Sequence, residues 1–189
     1  MSYIKEKSWL SQEYPCVVIM NLSSGSRCGY VAIPKDHALY GVNYSEETYK
    51  LAPYYEMVAS KREVTVSCLQ DNIGIFPTFM LMCGSGNILQ PGYLLGVHGG
   101  LTYSAGNKYP VPMEDYWWFG YDCAHLGDGK DLSVLKPELR KIYEDFPLER
   151  GIIRSLEYCF YECIKLADQL RQVDKEYKKR KEILFRKFK

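Results

Sequence analysis

Two of the chain's three histidines, His98 and His125, fall within about thirty residues that also hold Asp122 and Asp128. The stretch opens VHGGLTYS at Val97 and closes YWWFGYDCAHLGD at Asp128. Imidazole and carboxylate brought together can bind a divalent metal, share a proton as acid and base, or hydrogen-bond a polar ligand. The same spacing has a plainer reading, because Asp beside Gly is common turn chemistry and its carboxylate readily caps backbone N–H groups.

Strand alternation through VHGGLTYS sets Val97, Leu101 and Tyr103 on one face and His98, Thr102 and Ser104 on the other. Gly99 and Gly100 within it predict a bulge or the close approach of a backbone or ligand. In YWWFGYD, Trp117, Phe119 and Tyr121 share a face, while Tyr116, Trp118, Gly120 and Asp122 share the other. Gly120 leaves a hollow beside Trp118. The glycines of CAHLGDG argue against a continuing element, so Asp122, His125 and Asp128 ride a strand end and its turn, where a loop can bring all three to one point.

The elements that must position these groups follow from the rest of the pattern. PCVVIMNL, the turn residues SSGSR and CGYVAIP form a hairpin signature. KDHALYGVNY reads as a loop. SEETYKLAPYYEMVASKR has a helix start and an interruption at Pro53. EVTVSCLQ alternates as a strand, IGIFPTFMLMC is an edge or split strand because of Pro77, and CGSGN is a loop. From Leu148 on the period changes: Ile153, Leu156, Phe160, Cys163, Ala167, Leu170 and Val173 step by three or four and predict an amphipathic helix covering the sheet. The fold expected is α+β, a mostly antiparallel sheet of about five or six strands under a long C-terminal helix.

At 189 residues the expectation is a single domain over 1–170, followed by a basic extension of the helix over 171–189. That extension carries nine Lys/Arg and three Asp/Glu, a net of +6, against −5 for the body of a chain that totals +1. It suits a solvated helix end packing on another subunit as a homo-oligomer, or a contact with nucleic acid. Seven scattered cysteines without CxxC spacing exclude a zinc ribbon and a disulfide framework and read as buried thiols, Cys159 and Cys163 among them. The N-terminal MSYIKEKSWLSQEYP has no apolar h-region and no run is long enough for a membrane span, which predicts a cytoplasmic protein.

CGYVAIPKDHALYG, VHGGLTYS, WWFGYDCAH with Gly127 and Asp128, and LEYCFYECIKLADQL together resemble an uncharacterised family of small bacteriophage and prophage proteins. The blocks cover about residues 28 to 170, with Ala38, Tyr121 and Leu126 where the family pattern has Pro, Phe and Ala. The resemblance implies a phage accessory protein of the host bacterial cytoplasm and names no activity.

Three functions are open on this reading. The first is a counter-defence protein that binds and sequesters a nucleotide-like immune signal. A base would stack on Trp118 and phosphates would meet the amides of Gly99, Gly100 and the 127–129 turn, with His98, Thr102, Asp122, His125 and Asp128 as further contacts. A −5 body repels such a ligand unless Arg27, Lys35, Arg154 or His98 converges on the pocket. The second is a metal-dependent hydrolase or phosphodiesterase using His98, Asp122, His125 and Asp128, joined by Glu162, with Asp122, His125 and Asp128 as candidate ligands of Mn, Zn or Fe. HExxH, GxSxG and P-loop signatures are all missing from the sequence. The third is an inhibitor of a host protein acting through direct binding.

Overall fold

The computed structural model describes residues 2–61, 89–108, 110–145 and 151–187. Among them five strands form one antiparallel sheet in the order β1-β2-β3-β5-β4. These are β1 (Tyr3–Ser11), β2 (Tyr14–Asn21), β3 (Ser26–Pro34), β4 (Tyr103–Gly106) and β5 (Tyr116–Asp122). The helices are α1 (Ala52–Lys61), the single turn α2 (Pro91–Leu94), α3 (Pro137–Asp145) and the long α4 (Leu156–Lys187). The α+β architecture is the one expected. The segments EVTVSCLQ, IGIFPTFMLMC and CGSGN, with Cys68 and Cys83, lie outside the described residues.

The β2–β3 hairpin forms as predicted, closed by Gly25 donating to the Asn21 carbonyl at 2.9 Å. β1 was not foreseen. Its lysines leave it largely exposed at the sheet edge, and it joins β2 through Gln12 and Glu13, both with positive φ (51° and 70°). A two-residue hairpin loop needs that backbone twist, which Asn-Gly would have announced and Gln-Glu does not. Pro53 does not interrupt a helix. It sits in the first turn of α1, where its missing N–H removes no hydrogen bond, after a 3-10 turn (Tyr49–Leu51) capped by Thr48.

Both faces of the sheet are buried. Cys16, Val18, Val31, Ile33, Phe119 and Tyr121 meet the stripe Cys159, Cys163, Leu166, Ala167, Leu170 and Val173 of α4. Val17, Ile19, Cys28, Tyr30, Ala32 and Trp118 form a second cluster under Tyr3, Tyr103, Val111, Met113 and Tyr116. The hollow expected at Gly120 is real but filled: a Cβ there would overlap the Tyr30 ring.

The apolar period of α4 was right and its start was not. Ile153 is half exposed and precedes the helix, because Ile152 is held in a parallel bridge to Asp128. At 32 residues α4 spans about 48 Å. Its described side chains beyond Val173 are partly or fully exposed; Arg180 pairs with Glu56 of α1 at 2.9 Å, and Ile183, Leu184 and Phe185 face solvent. No helix among the described residues is long and apolar enough to cross a membrane.

The loop after β3 is fastened to α4 by His37, which is 4 % exposed. The Leu39 N–H donates to its Nδ1 at 3.0 Å, so the proton sits on Nε2 and is donated to the Leu170 carbonyl at 2.9 Å. Asp174 accepts from the Ala38 N–H at 2.9 Å beside it. Burial lowers the His37 pKa against the opposing pull of the Leu170 carbonyl and of Asp174. A depressed folded pKa means that the neutral ring stabilises the fold above the unfolded value of about 6.5, and that this stability is lost as pH falls below it. His37→Gln should therefore lie below the wild type at pH 8, and chemical denaturation should show the gap shrinking by up to about 1.4 kcal/mol per pH unit below about 6.5.

Candidate functional site

Three chain segments meet at the N-terminal end of α4, and each is fixed by bonds that can be named. The first is Gly96 to Gly100. The predicted strand does not start until Tyr103, because Gly99 and Gly100 both take positive φ (65° and 89°) and the Gly100 N–H turns back to the Val97 carbonyl at 3.0 Å. Helix side chains replace the missing sheet partner. Gln169 pairs with both the N–H and the carbonyl of Gly96 (2.8 and 2.9 Å), and Glu162 accepts the His98 N–H at 2.7 Å.

The second segment is the loop after β5. Asp122 accepts from the Ala124 N–H at 3.0 Å and from the Thr102 hydroxyl at 2.8 Å. The third is the strand-like run 151–154 before α4. Gly129 donates to the Ile152 carbonyl at 2.8 Å and Ile152 donates to the Gly127 carbonyl at 2.9 Å. The approach is so close that a Cβ on Gly129 or Gly151 would overlap the facing backbone.

Asp128 closes the assembly. Its Oδ2 accepts from His98 Nε2 at 2.7 Å and from the His125 N–H at 3.0 Å, and its Oδ1 accepts from Arg154 Nε at 2.8 Å. Only 2 % of the side chain is exposed. Burial alone would raise the Asp128 pKa, but the hydrogen bonds from His98, Arg154 and His125 outweigh it and hold the carboxyl below its usual range. The other ring nitrogen of His98 lies 3.0 Å from the Tyr158 hydroxyl, which donates to it when the imidazole is neutral. Burial, then the Glu162 charge, raises the Tyr158 pKa, so the phenol keeps its proton.

His125 differs from His98. Its ring lies 5.5 Å from that of His98, edge to face, and rests on Gly99. Its Nδ1 is buried with no hydrogen-bond partner among the described residues, standing 3.7 Å from Asp128 Oδ2 and 3.9 Å from Asp122 Oδ1. Ligand atoms of His98, His125 and Asp128 all lie within 4.8 Å of one another, an arrangement that can hold a metal ion.

No family model, curated protein or solved structure matches this chain.

His98, Thr102, Asp122, His125 and Asp128 come together as expected, with Gly99 beneath His125 and Glu162 reaching in from the helix. One expectation fails and another holds only for part of its residues. Trp118 is fully buried with its Nε1 donating to the Val111 carbonyl at 3.1 Å, so it offers no surface for a base. Of the amides expected to meet phosphate, those of Gly100, Asp128 and Gly129 already donate to protein carbonyls, while those of Gly99 and Gly127 donate to no described carbonyl. Of the cations named, Arg154 reaches the cluster. Arg27 instead donates to the Arg154 carbonyl at 2.8 Å and pairs with Glu6 at 2.7 Å, while Lys35 pairs with Asp115.

Tyr158 and Gln169 escaped the sequence reading. Their signal was present: with Glu162 they sit four and seven residues apart, a polar row beside the apolar stripe of one helix. Gly99→Ala tests the packing. The added Cβ meets the His125 imidazole at a residue already in the left-handed region, so urea denaturation should show a loss of about 1–3 kcal/mol, with the His125 ring resonances displaced.

Proposed function

We propose that the chain is a divalent-metal-dependent hydrolase acting on the phosphate esters of a nucleotide-like small molecule. The observation that carries this reading is the buried, unpartnered Nδ1 of His125, facing two carboxylates within 4 Å and sharing Asp128 Oδ2 with His98. A mixed imidazole and carboxylate set suits Mn, Zn or Fe better than Mg. A cation bound there supplies Lewis acidity and makes water a usable nucleophile near neutral pH.

The chain's own residues do the remaining work. Asp128, ionised well below neutral pH, is ready as an anionic ligand. Glu162 fixes the backbone of His98 and Tyr158 its ring; for Nε2 to hold a cation, its proton would move from the Asp128 bond to Nδ1, where the Tyr158 oxygen would accept it. Asp122, one third exposed and 3.9 Å from His125, is placed to accept a proton from water. Arg154 uses Nε for Asp128 and lays its guanidinium over the Tyr158 ring, 5.0 Å from the ring centre, leaving terminal nitrogens that make no hydrogen bond to a described residue to meet phosphate oxygens.

Hydrolysis is favoured over sequestration because most of the groups a purely binding site would draw on, the Trp118 face and the Gly100, Asp128 and Gly129 amides, are committed to the fold. In a phage accessory protein, the role implied by the resemblance, such an enzyme would remove a nucleotide-type immune signal.

The test is incubation of the purified chain with cyclic dinucleotides and ADP-ribose-type nucleotides, with and without Mn²⁺, followed by chromatography before and after heat denaturation. A new product that needs Mn²⁺ is expected, with His125→Ala lowering kcat/KM by about 10²-fold or more. A nucleotide that disappears and returns intact on heating would overturn hydrolysis in favour of sequestration. No change in any nucleotide would overturn both.

A further inference from the structure

Next in the chain to Asp122 and to Tyr158, Cys123 and Cys159 point their sulfurs at each other. The Sγ–Sγ distance is 3.7 Å, and both are free thiols with exposures of 2 % and 0 %. The other thiols with described partners behave differently. Cys16 donates to the Tyr14 carbonyl at 3.5 Å, while Cys163 lies 3.7 Å from the Tyr121 hydroxyl and 4.0 Å from the Tyr30 carbonyl. The facing pair also joins two separate elements, since Cys123 follows the last residue of β5 and Cys159 lies in the first turn of α4.

We propose that Cys123 and Cys159 are a reversible disulfide-forming pair, and that its oxidation gates the histidine and aspartate site. A disulfide needs about 2.05 Å between sulfurs, so the two must close by roughly 1.6 Å, a small movement for a loop and a helix end. The oxidant is hydrogen peroxide. One thiol sulfur attacks it, the O–O bond breaks, and a sulfenic acid and one water form. The second thiol sulfur then displaces the hydroxyl as a second water, and the S–S bond forms. Each sulfur gives up one electron, and peroxide takes up both. Dithiothreitol or glutathione reverses the step by thiol exchange.

Position in the chain gives the bond its consequence. Cys123 stands between Asp122 and His125, whereas His98 is held to α4 by Glu162 and Tyr158. Cross-linking draws the loop that carries His125 toward the helix that orients His98. The spacing among His98, His125 and Asp128 must then change. The gating claim rests on the metal reading given above; the disulfide itself does not.

The reduced chain is treated with hydrogen peroxide, alkylated and mapped by mass spectrometry after trypsin digestion. A cross-link that has lost two hydrogens is expected between the peptide holding Cys123 and SLEYCFYECIK. That peptide contains both Cys159 and Cys163. The link must therefore persist in Cys163→Ser and vanish in Cys159→Ser. A link that survives Cys159→Ser, one that goes to Cys28, or none in the wild type would overturn the pair.

Calorimetric titration with Mn²⁺ then compares the two redox forms. The oxidised wild type should bind about tenfold more weakly or worse, with recovery on adding dithiothreitol. Equal affinity in both forms would overturn the gating. A reduced chain that binds no Mn²⁺ would overturn the metal reading and the gating with it, leaving the disulfide to be judged by the peptide map.

Discussion

The Asp128 carboxylate is the point on which the site depends. It is almost wholly buried, and burying an ion is costly unless its oxygens are paired and hydrogen-bonded. Here two histidine donors and one arginine meet that need from three different segments. The same bonds that stabilise the charge therefore hold together the 96–100 turn, the loop after β5 and the run before α4. Remove the carboxylate, and Arg154 and His98 lose the anion that sets their positions.

α4 is the second constraint, because it serves two purposes with two faces. Its apolar stripe from Cys159 to Val173 completes the core, while Tyr158, Glu162 and Gln169 reach the backbone and ring of the His98 turn. Further along, Leu170 and Asp174 anchor the His37 loop. The sheet thus supplies the loops, and the helix decides where they stop. This division explains why irregular backbone at Val97 to Gly100 is stable without a strand partner: side chains of the helix satisfy groups a neighbouring strand would otherwise have met.

Sequence periodicity made the β2–β3 hairpin, β5 and the core stripe of α4 legible, since burial on one face or both leaves a direct trace in residue type. It failed where turn conformation decided the outcome. Gln12 and Glu13 adopt positive φ without the usual residues, and so concealed β1; Gly99 and Gly100 ended a pattern that alternation alone would continue. The convergence of Asp122, His125 and Asp128 could be read from their place on a glycine-rich loop. The burial of Trp118 could not, because alternation assigns a face and does not reveal that both faces are covered. Tyr158 leaves no such trace, because an aromatic residue on an amphipathic helix has the same appearance in sequence whether it packs or binds.

Whether His98, His125 and Asp128 hold a divalent cation is decided by following the imidazole nitrogens of ¹⁵N-histidine-labelled protein during a titration with Zn²⁺. His125 Nδ1 and His98 Nε2 should shift together and saturate at one equivalent, while His37, tied to Leu170, stays unmoved. Silent His125 and His98 resonances, or an identical response in Asp128→Asn, would contradict a cation site there.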